Sequence, residues 1–133
     1  MKKKKSVDLT VTTTIEDSSS VPDYITLFKV PKGFVLKEVK INIIINTGAI
    51  NPFNYKDVKF RPSTIGIDST PQTGLYKELS PLHGDKNRPP IELEEEFEEN
   101  TTLVLVPENL DNLDDSLYPV DFAFRLRGVL YPK

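Results

Sequence analysis

The distribution of proline is the feature that most restricts what this chain can fold into. Eleven prolines are spread over the 133 residues, and more than half of the intervals between them are too short to hold a three-turn helix. Only two alanines, Ala49 and Ala123, are present, so the best helix-forming residue is almost absent. Valine, isoleucine and phenylalanine supply most of the apolar positions, and these residues fit the pleated surface of a sheet. Together these features predict an all-β protein.

Alternation of apolar and polar residues locates the individual strands. On the third strand we expect Val35, Val39 and Ile41 to share one face, whereas Phe34 and Leu36 lie on the opposite one. On the last strand the residues expected to point inward are Val120, Phe122, Phe124 and Leu126. Proline or glycine closes most of the segments, as in the predicted turn at residues 31–33 and at Pro62 and Pro107, which are expected to end strands. We predict strands over residues 7–15, 24–30, 34–45, 58–60, 65–67, 91–97, 103–106 and 120–130.

Such a set of short strands with long connections predicts an antiparallel β-sandwich of about eight strands. We favour a jelly roll over an immunoglobulin-like fold, because the chain has neither the cysteines nor the tryptophan of the immunoglobulin signature. A basic N-terminal tail, residues 1–6, precedes a single domain, residues 7–133. Residues 46–90 are rich in proline and are expected to form surface loops that carry contacts.

Composition excludes several classes of site. Without cysteine there is no disulfide, zinc–thiolate site, iron–sulfur cluster or cysteine nucleophile, and the single histidine, His83, cannot form a multi-histidine metal site within one chain. A net charge of −3 gives no general reason to bind nucleic acid. No apolar run is long enough for a membrane span, and Lys2–Lys5 are not followed by the apolar region of a signal peptide. We expect a protein made in the cytoplasm that is not an enzyme and uses no cofactor.

The acidic segment, residues 92–99, contains six glutamates. In the predicted strand, Ile91, Leu93, Glu95 and Phe97 share one face, and the opposite face carries Glu92, Glu94, Glu96 and Glu98. Like charges on one strand repel one another unless cations face them, and Arg125 and Arg127 on the last strand are the expected partners. Either the segment is a solvated edge that discourages aggregation, or it forms a charge ladder across strands or subunits. A second acidic stretch, residues 108–115, is either a solvated loop or a calcium-binding loop, although it lacks the glycine of an EF-hand.

Two further groups are candidates for interaction. Lys2, Lys3, Lys4 and Lys5 form either a solvated tail or an arm that contacts an acidic protein surface or packaged nucleic acid. The aromatic residues of the loop region, including Phe53, Tyr55 and Tyr76, either anchor long loops or stack on sugar rings.

The segments 28–34 (FKVPKGF) and 122–132 (FAFRLRGVLYP), with the apolar strand that ends at Ile45, resemble small jelly-roll proteins of virus and bacteriophage particles. The resemblance covers about half of the chain. It implies a capsid, decoration, turret or fibre-type subunit of the virion that associates with itself or with a major capsid protein, without catalytic residues. The alternative is a carbohydrate- or receptor-binding β-sandwich.

Overall fold

A computed structural model describes residues 3–47, 59–65, 82–83, 91–108 and 118–133. In these residues the chain forms strands and no helix, which confirms the prediction of an all-β protein. The strands are β1 (Lys5–Ile15), β2 (Ile25–Lys29), β3 (Phe34–Thr47), β4 (Lys59–Ile65), β5 (Leu82–His83), β6 (Ile91–Leu93), β7 (Thr102–Glu108) and β8 (Val120–Pro132).

The strands form two sheets around one core. In the larger sheet β8 lies between β1 and β3, and β3 pairs in turn with β5 and β6; the smaller sheet has the order β2-β7-β4. Among the described residues, all pairings are antiparallel except the two-residue contact between β3 and β5. Buried residues of both sheets belong to a single apolar cluster, so the arrangement is that of a β-sandwich.

Strands β1 and β8 follow the predicted alternation over their whole length. They pair without a register shift from Lys5 opposite Leu130 to Ile15 opposite Val120. The inward residues predicted for β8 are all buried: Val120, Phe122, Phe124 and Leu126. β1 begins at Lys5, so the last two residues assigned to the basic tail belong to the sheet.

Three phenylalanines connect the two sheets. The ring of Phe60 on β4 meets those of Phe122 and Phe124 on β8 edge-on, with centroids 5.1 and 5.2 Å apart. Edge-to-face contact brings the positive rim of one ring to the negative face of another, and adds to the gain from apolar burial. This cluster holds β4 and β8 at a fixed separation.

A β-bulge in β3 reverses which residues face the core. The register with β8 shifts between Lys37 and Lys40, and Glu38 has a left-handed backbone with φ of 56°. Leu36 is therefore buried before the bulge and Val39 is buried after it, whereas Val35 is only half-buried. The prediction that Val35 and Val39 share one face was wrong, because one inserted residue exchanges the two faces of a strand.

Pro62 and Pro107 were predicted to end strands, but each lies within one. β4 continues through Pro62, which lies opposite Leu105, and β7 continues through Pro107, opposite Phe60. Each proline lies where the described sheet has a neighbour on one side only, since β4 pairs with β7 alone and β2 extends no further than Leu105. A missing N–H is tolerated on the unpaired side of such a strand. The predicted residues Val58 and Ile67 lie outside the described residues.

Candidate interaction surfaces

The outer face of the larger sheet carries a cross-strand ion pair that the sequence analysis did not identify. Arg125 donates two hydrogen bonds to Asp8, from Nε to Oδ1 at 3.1 Å and from Nη2 to Oδ2 at 2.8 Å. Thr10 is directly opposite Arg125, so the contact to Asp8 is diagonal across β1 and β8. The hydrogen bonds from Arg125 hold the pKa of Asp8 below its ordinary value and raise the pKa of the guanidinium.

Arg127 points to the other neighbour of β8. Its Nη2 atom lies 3.4 Å from Oδ1 of Asn42 on β3. The prediction that Arg125 and Arg127 neutralise the acidic segment was therefore wrong in the described part of the chain. β6 pairs with the far side of β3, which separates it from β8 by two strand spacings, or about 10 Å.

Lysines provide the cations for the acidic segment instead. Lys37 lies 3.3 Å from Glu96, and Lys40 lies 3.7 Å from Glu92, its direct partner in the β3–β6 register. The predicted alternation of this segment is confirmed, because Leu93 and Phe97 are buried while Glu92 and Glu96 are exposed. The charge ladder therefore exists between β3 and residues 92–96.

These two ion pairs cross a surface groove of about 510 Å³ at the bulge. Residues 37–40 form one wall and residues 92–96 form the other, with five carboxylates and two ammonium groups in total. Ion pairs of this exposure stabilise a fold only weakly and are screened by salt. The described residues contain no group of three or more acidic, histidine or cysteine side chains arranged to hold a metal ion.

The end of the acidic segment forms a clasp with the end of β8. Glu99 accepts a hydrogen bond from the backbone N–H of Gly33 at 2.7 Å and one from Lys133 Nζ at 3.1 Å. The N–H of Lys133 in turn donates to the carbonyl of Gly33 at 2.9 Å. The hydrogen bond from the Gly33 N–H has the largest effect on the pKa of Glu99 and keeps it below its ordinary value, and the hydrogen bond from Lys133 adds to this effect. The same hydrogen bond to Glu99 raises the pKa of Lys133. The clasp joins the predicted turn at residues 31–33 to the acidic segment.

The basic N-terminal segment contacts its own domain. Lys4 Nζ lies 4.8 Å from the centre of the Tyr131 ring, and Lys5 Nζ lies 5.2 Å from that of Phe34. Lys37 lies 5.0 Å from the same Tyr131 ring, and the Tyr131 hydroxyl donates a 2.6 Å hydrogen bond to Glu38. This hydrogen bond raises the pKa of Tyr131.

Several predicted site residues lie outside the described part of the chain. They are Lys2, Phe53, Tyr55 and Tyr76, together with most of the acidic stretch 108–115. Glu108 at the start of that stretch is described, and it forms an ion pair with Arg61 at 2.7 Å. Lys3 is exposed, and His83 belongs to β5. Within the residues described, no helix is both long and apolar enough to cross a membrane.

The sequence contained part of the signal for the contacts that were missed. Asp8 lies on the polar side of the predicted first strand, and an antiparallel pairing with the last strand brings it close to both arginines. The alternation of residues does not reveal which strands are neighbours, so it could not choose between arginine and lysine as partners of the glutamates. Comparison of the chain with protein-family models, with curated proteins and with solved structures gives no match in any of the three.

Proposed function

We propose that this chain is a non-enzymatic structural subunit of a virus particle, built on a jelly roll and acting through contacts with other protein subunits. The observation that carries the proposal is the path of the chain between the sheets. Strands β1, β3, β6 and β8 belong to the larger sheet and β2, β4 and β7 to the smaller one. If the two-residue β5 is left out, each described strand lies in the sheet opposite to that of the strand before it.

This alternation supports a jelly roll over an immunoglobulin-like topology. In the immunoglobulin arrangement several consecutive strands form hairpins within one sheet. In the jelly roll two Greek keys wrap around the sandwich, so the chain crosses repeatedly from sheet to sheet. The adjacency of β1 and β8, the first and last strands described, agrees with such wrapping.

The charged surface of the larger sheet supports contact with another protein. Its described side chains form cross-strand ion pairs, such as Arg125 with Asp8 and Lys40 with Glu92. Lys3 and Lys4 add positive charge beside this sheet and suit an acidic surface of a shell protein or packaged nucleic acid. In this proposal the protein is made in the host cytoplasm and resides in the virion.

Fractionation of particles from the source of the chain tests the proposal. Particles purified on a density gradient are expected to contain the chain in a constant ratio to the major shell protein, as measured by quantitative mass spectrometry across the peak. An abundant unrelated protein of similar mass from the same extract is the control for trapping, and its ratio should vary between fractions. Recovery of the chain only in the low-mass soluble fractions contradicts the proposal.

A further inference from the structure

Strand β1 differs from every other edge strand of the described sheets. It has eleven residues without proline or register shift, and in the described part of the chain it pairs with β8 alone. The other edges are interrupted or short: β2 has a register shift, β4 contains Pro62, β5 has two residues and β6 has three. Such features protect an edge from pairing with another chain, and β1 lacks them.

We propose that β1 pairs antiparallel with β1 of a second copy of this chain, so that two larger sheets join into one continuous sheet. This inference rests on the proposed structural role, because it names one of the partners of that subunit. The pairing supplies hydrogen-bond partners to the N–H and C=O groups of the outer edge of β1. It is the mode of recognition in which an extended strand is added to an exposed sheet edge.

The side chains of β1 are complementary to a second copy of themselves. In an antiparallel pair, two residues that lie directly opposite each other have their side chains on the same face of the sheet. A symmetric pair of β1 strands therefore brings inner-face residues together and outer-face residues together. On the inner face this aligns the half-buried row of Val7, Leu9 and Val11 with the same row of the partner. On the outer face it aligns exposed threonines, including Thr10 and Thr12, whose cross-strand pairs are favourable.

The charges of β1 favour a second copy over a strongly charged partner. Its charged residues are Lys5, at the first position, and Asp8. Asp8 is already neutralised by the two hydrogen bonds from Arg125, and Lys5 lies over the Phe34 ring. The edge therefore carries little net charge that would repel an identical strand. A two-fold pairing also uses both β1 edges at once, so it ends at a dimer instead of growing into a fibre.

Cysteine substitution tests the contact directly, because the native chain has no cysteine. The two-fold axis of a symmetric pair places one residue opposite its own copy, at a Cβ separation near the one a disulfide requires. Single variants Leu9→Cys, Thr10→Cys and Val11→Cys sample three adjacent positions for this axis. One of them is expected to form disulfide-linked dimers at least about tenfold faster than Thr26→Cys, at an exposed position of β2, because pairing raises the effective thiol concentration.

A second variant tests the same contact without a covalent bond. Thr10→Lys places like charges near each other across the pair and is expected to weaken self-association by about fivefold or more in sedimentation velocity. Thr26→Lys makes the same change on β2 and is expected to leave self-association unchanged. Thr10 and Thr26 are both exposed, and circular dichroism confirms that each variant is folded.

The outcomes separate this inference from the proposed function. A monomer at every concentration, or cross-linking of the β1 cysteines no faster than at Thr26, overturns the β1 pairing. If the chain is nevertheless present in particles at a constant ratio, the structural role stands and another contact mediates it. If the dimer forms through β1 but the chain is absent from particles, the pairing stands and the particle role is wrong.

Discussion

Gly128 lies opposite the bulge of β3, where a side chain has no room. A Cβ atom built at this position would lie 2.9 Å from Cδ1 of Leu36 and 3.3 Å from the carbonyl oxygen of Lys37. Leu36 is fully buried, so it cannot move aside without disturbing the core. The glycine is therefore required for close packing of β8 against β3.

We expect Gly128→Ala to lower the free energy of unfolding by about 1–3 kcal/mol, the usual cost of forcing an extra carbon into a packed interior. Urea denaturation monitored by circular dichroism measures the change. The control is Ala123→Ser, which adds one atom at a half-buried position on the outer face of the same strand. A loss of stability no greater than that of the control contradicts the steric argument.

Glu38 has a backbone conformation that an ordinary residue adopts only at a cost. Its φ of 56° is left-handed, and its side chain accepts the hydrogen bond from Tyr131. Replacement by glycine relieves the backbone but loses the hydrogen bond, so the two effects must be separated. In a Tyr131→Phe background, where the hydrogen bond is already absent, we expect Glu38→Gly to stabilise the protein by about 1 kcal/mol. Destabilisation in that background, measured by urea denaturation, contradicts this account of the bulge.

The clasp formed by Glu99 makes a specific contribution to the pH dependence of stability. Its folded pKa lies below the ordinary value of 4.5, chiefly because of the Gly33 N–H and then Lys133. The unfolded chain therefore binds the proton first as the pH falls, and the stabilisation present above about 4.5 is lost on passing through the folded pKa. We expect the urea concentration at the midpoint of unfolding to decrease as the pH is lowered from about 5 to about 3.

The variant Glu99→Gln is expected to flatten this part of the stability profile. Glu94→Gln is the matched control, because it removes the same charge from an exposed position in the acidic segment. The profile of the control should remain close to that of the unchanged protein. If the two variants lose equal amounts of pH dependence, the clasp is not its source.

At the scale of elements, the sequence predicts a strand well where its alternation is continuous. β1 and β8 pair over eleven residues without interruption, so the predicted and observed faces agree. The predicted alternation of β3 is wrong at Glu38, because alternation contains no signal for a non-glycine residue that adopts a left-handed backbone. The predicted end of β4 at Pro62 is wrong, because proline destabilises a strand only where its missing N–H would have been paired. That pairing is decided by strands that are distant in sequence.

The same limit applies to the candidate interaction surfaces. The glutamates of residues 92–99 were recognisable from sequence, and their exposed and buried faces were predicted correctly. Their partners Lys37 and Lys40 depend on the pairing of β6 with β3, whereas Arg125 lies on β8, on the other side of β3. The position of β1 at an edge of the described sheet is likewise a property of strand order, which becomes visible only after the strands have been assigned to sheets.

At the scale of the whole molecule, the contact of Phe60 with Phe122 and Phe124 joins the two sheets of the sandwich. All three rings are almost completely buried, and Phe60 is the member contributed by the smaller sheet. We expect Phe60→Ala to lower the free energy of unfolding by about 3–5 kcal/mol, because it leaves a cavity between the sheets. Phe28→Ala on β2 is the control, since the Phe28 ring is half-buried and its removal should cost less. Thermal and urea denaturation measure both changes, and an equal loss in the two variants would show that the sheets do not depend on this contact.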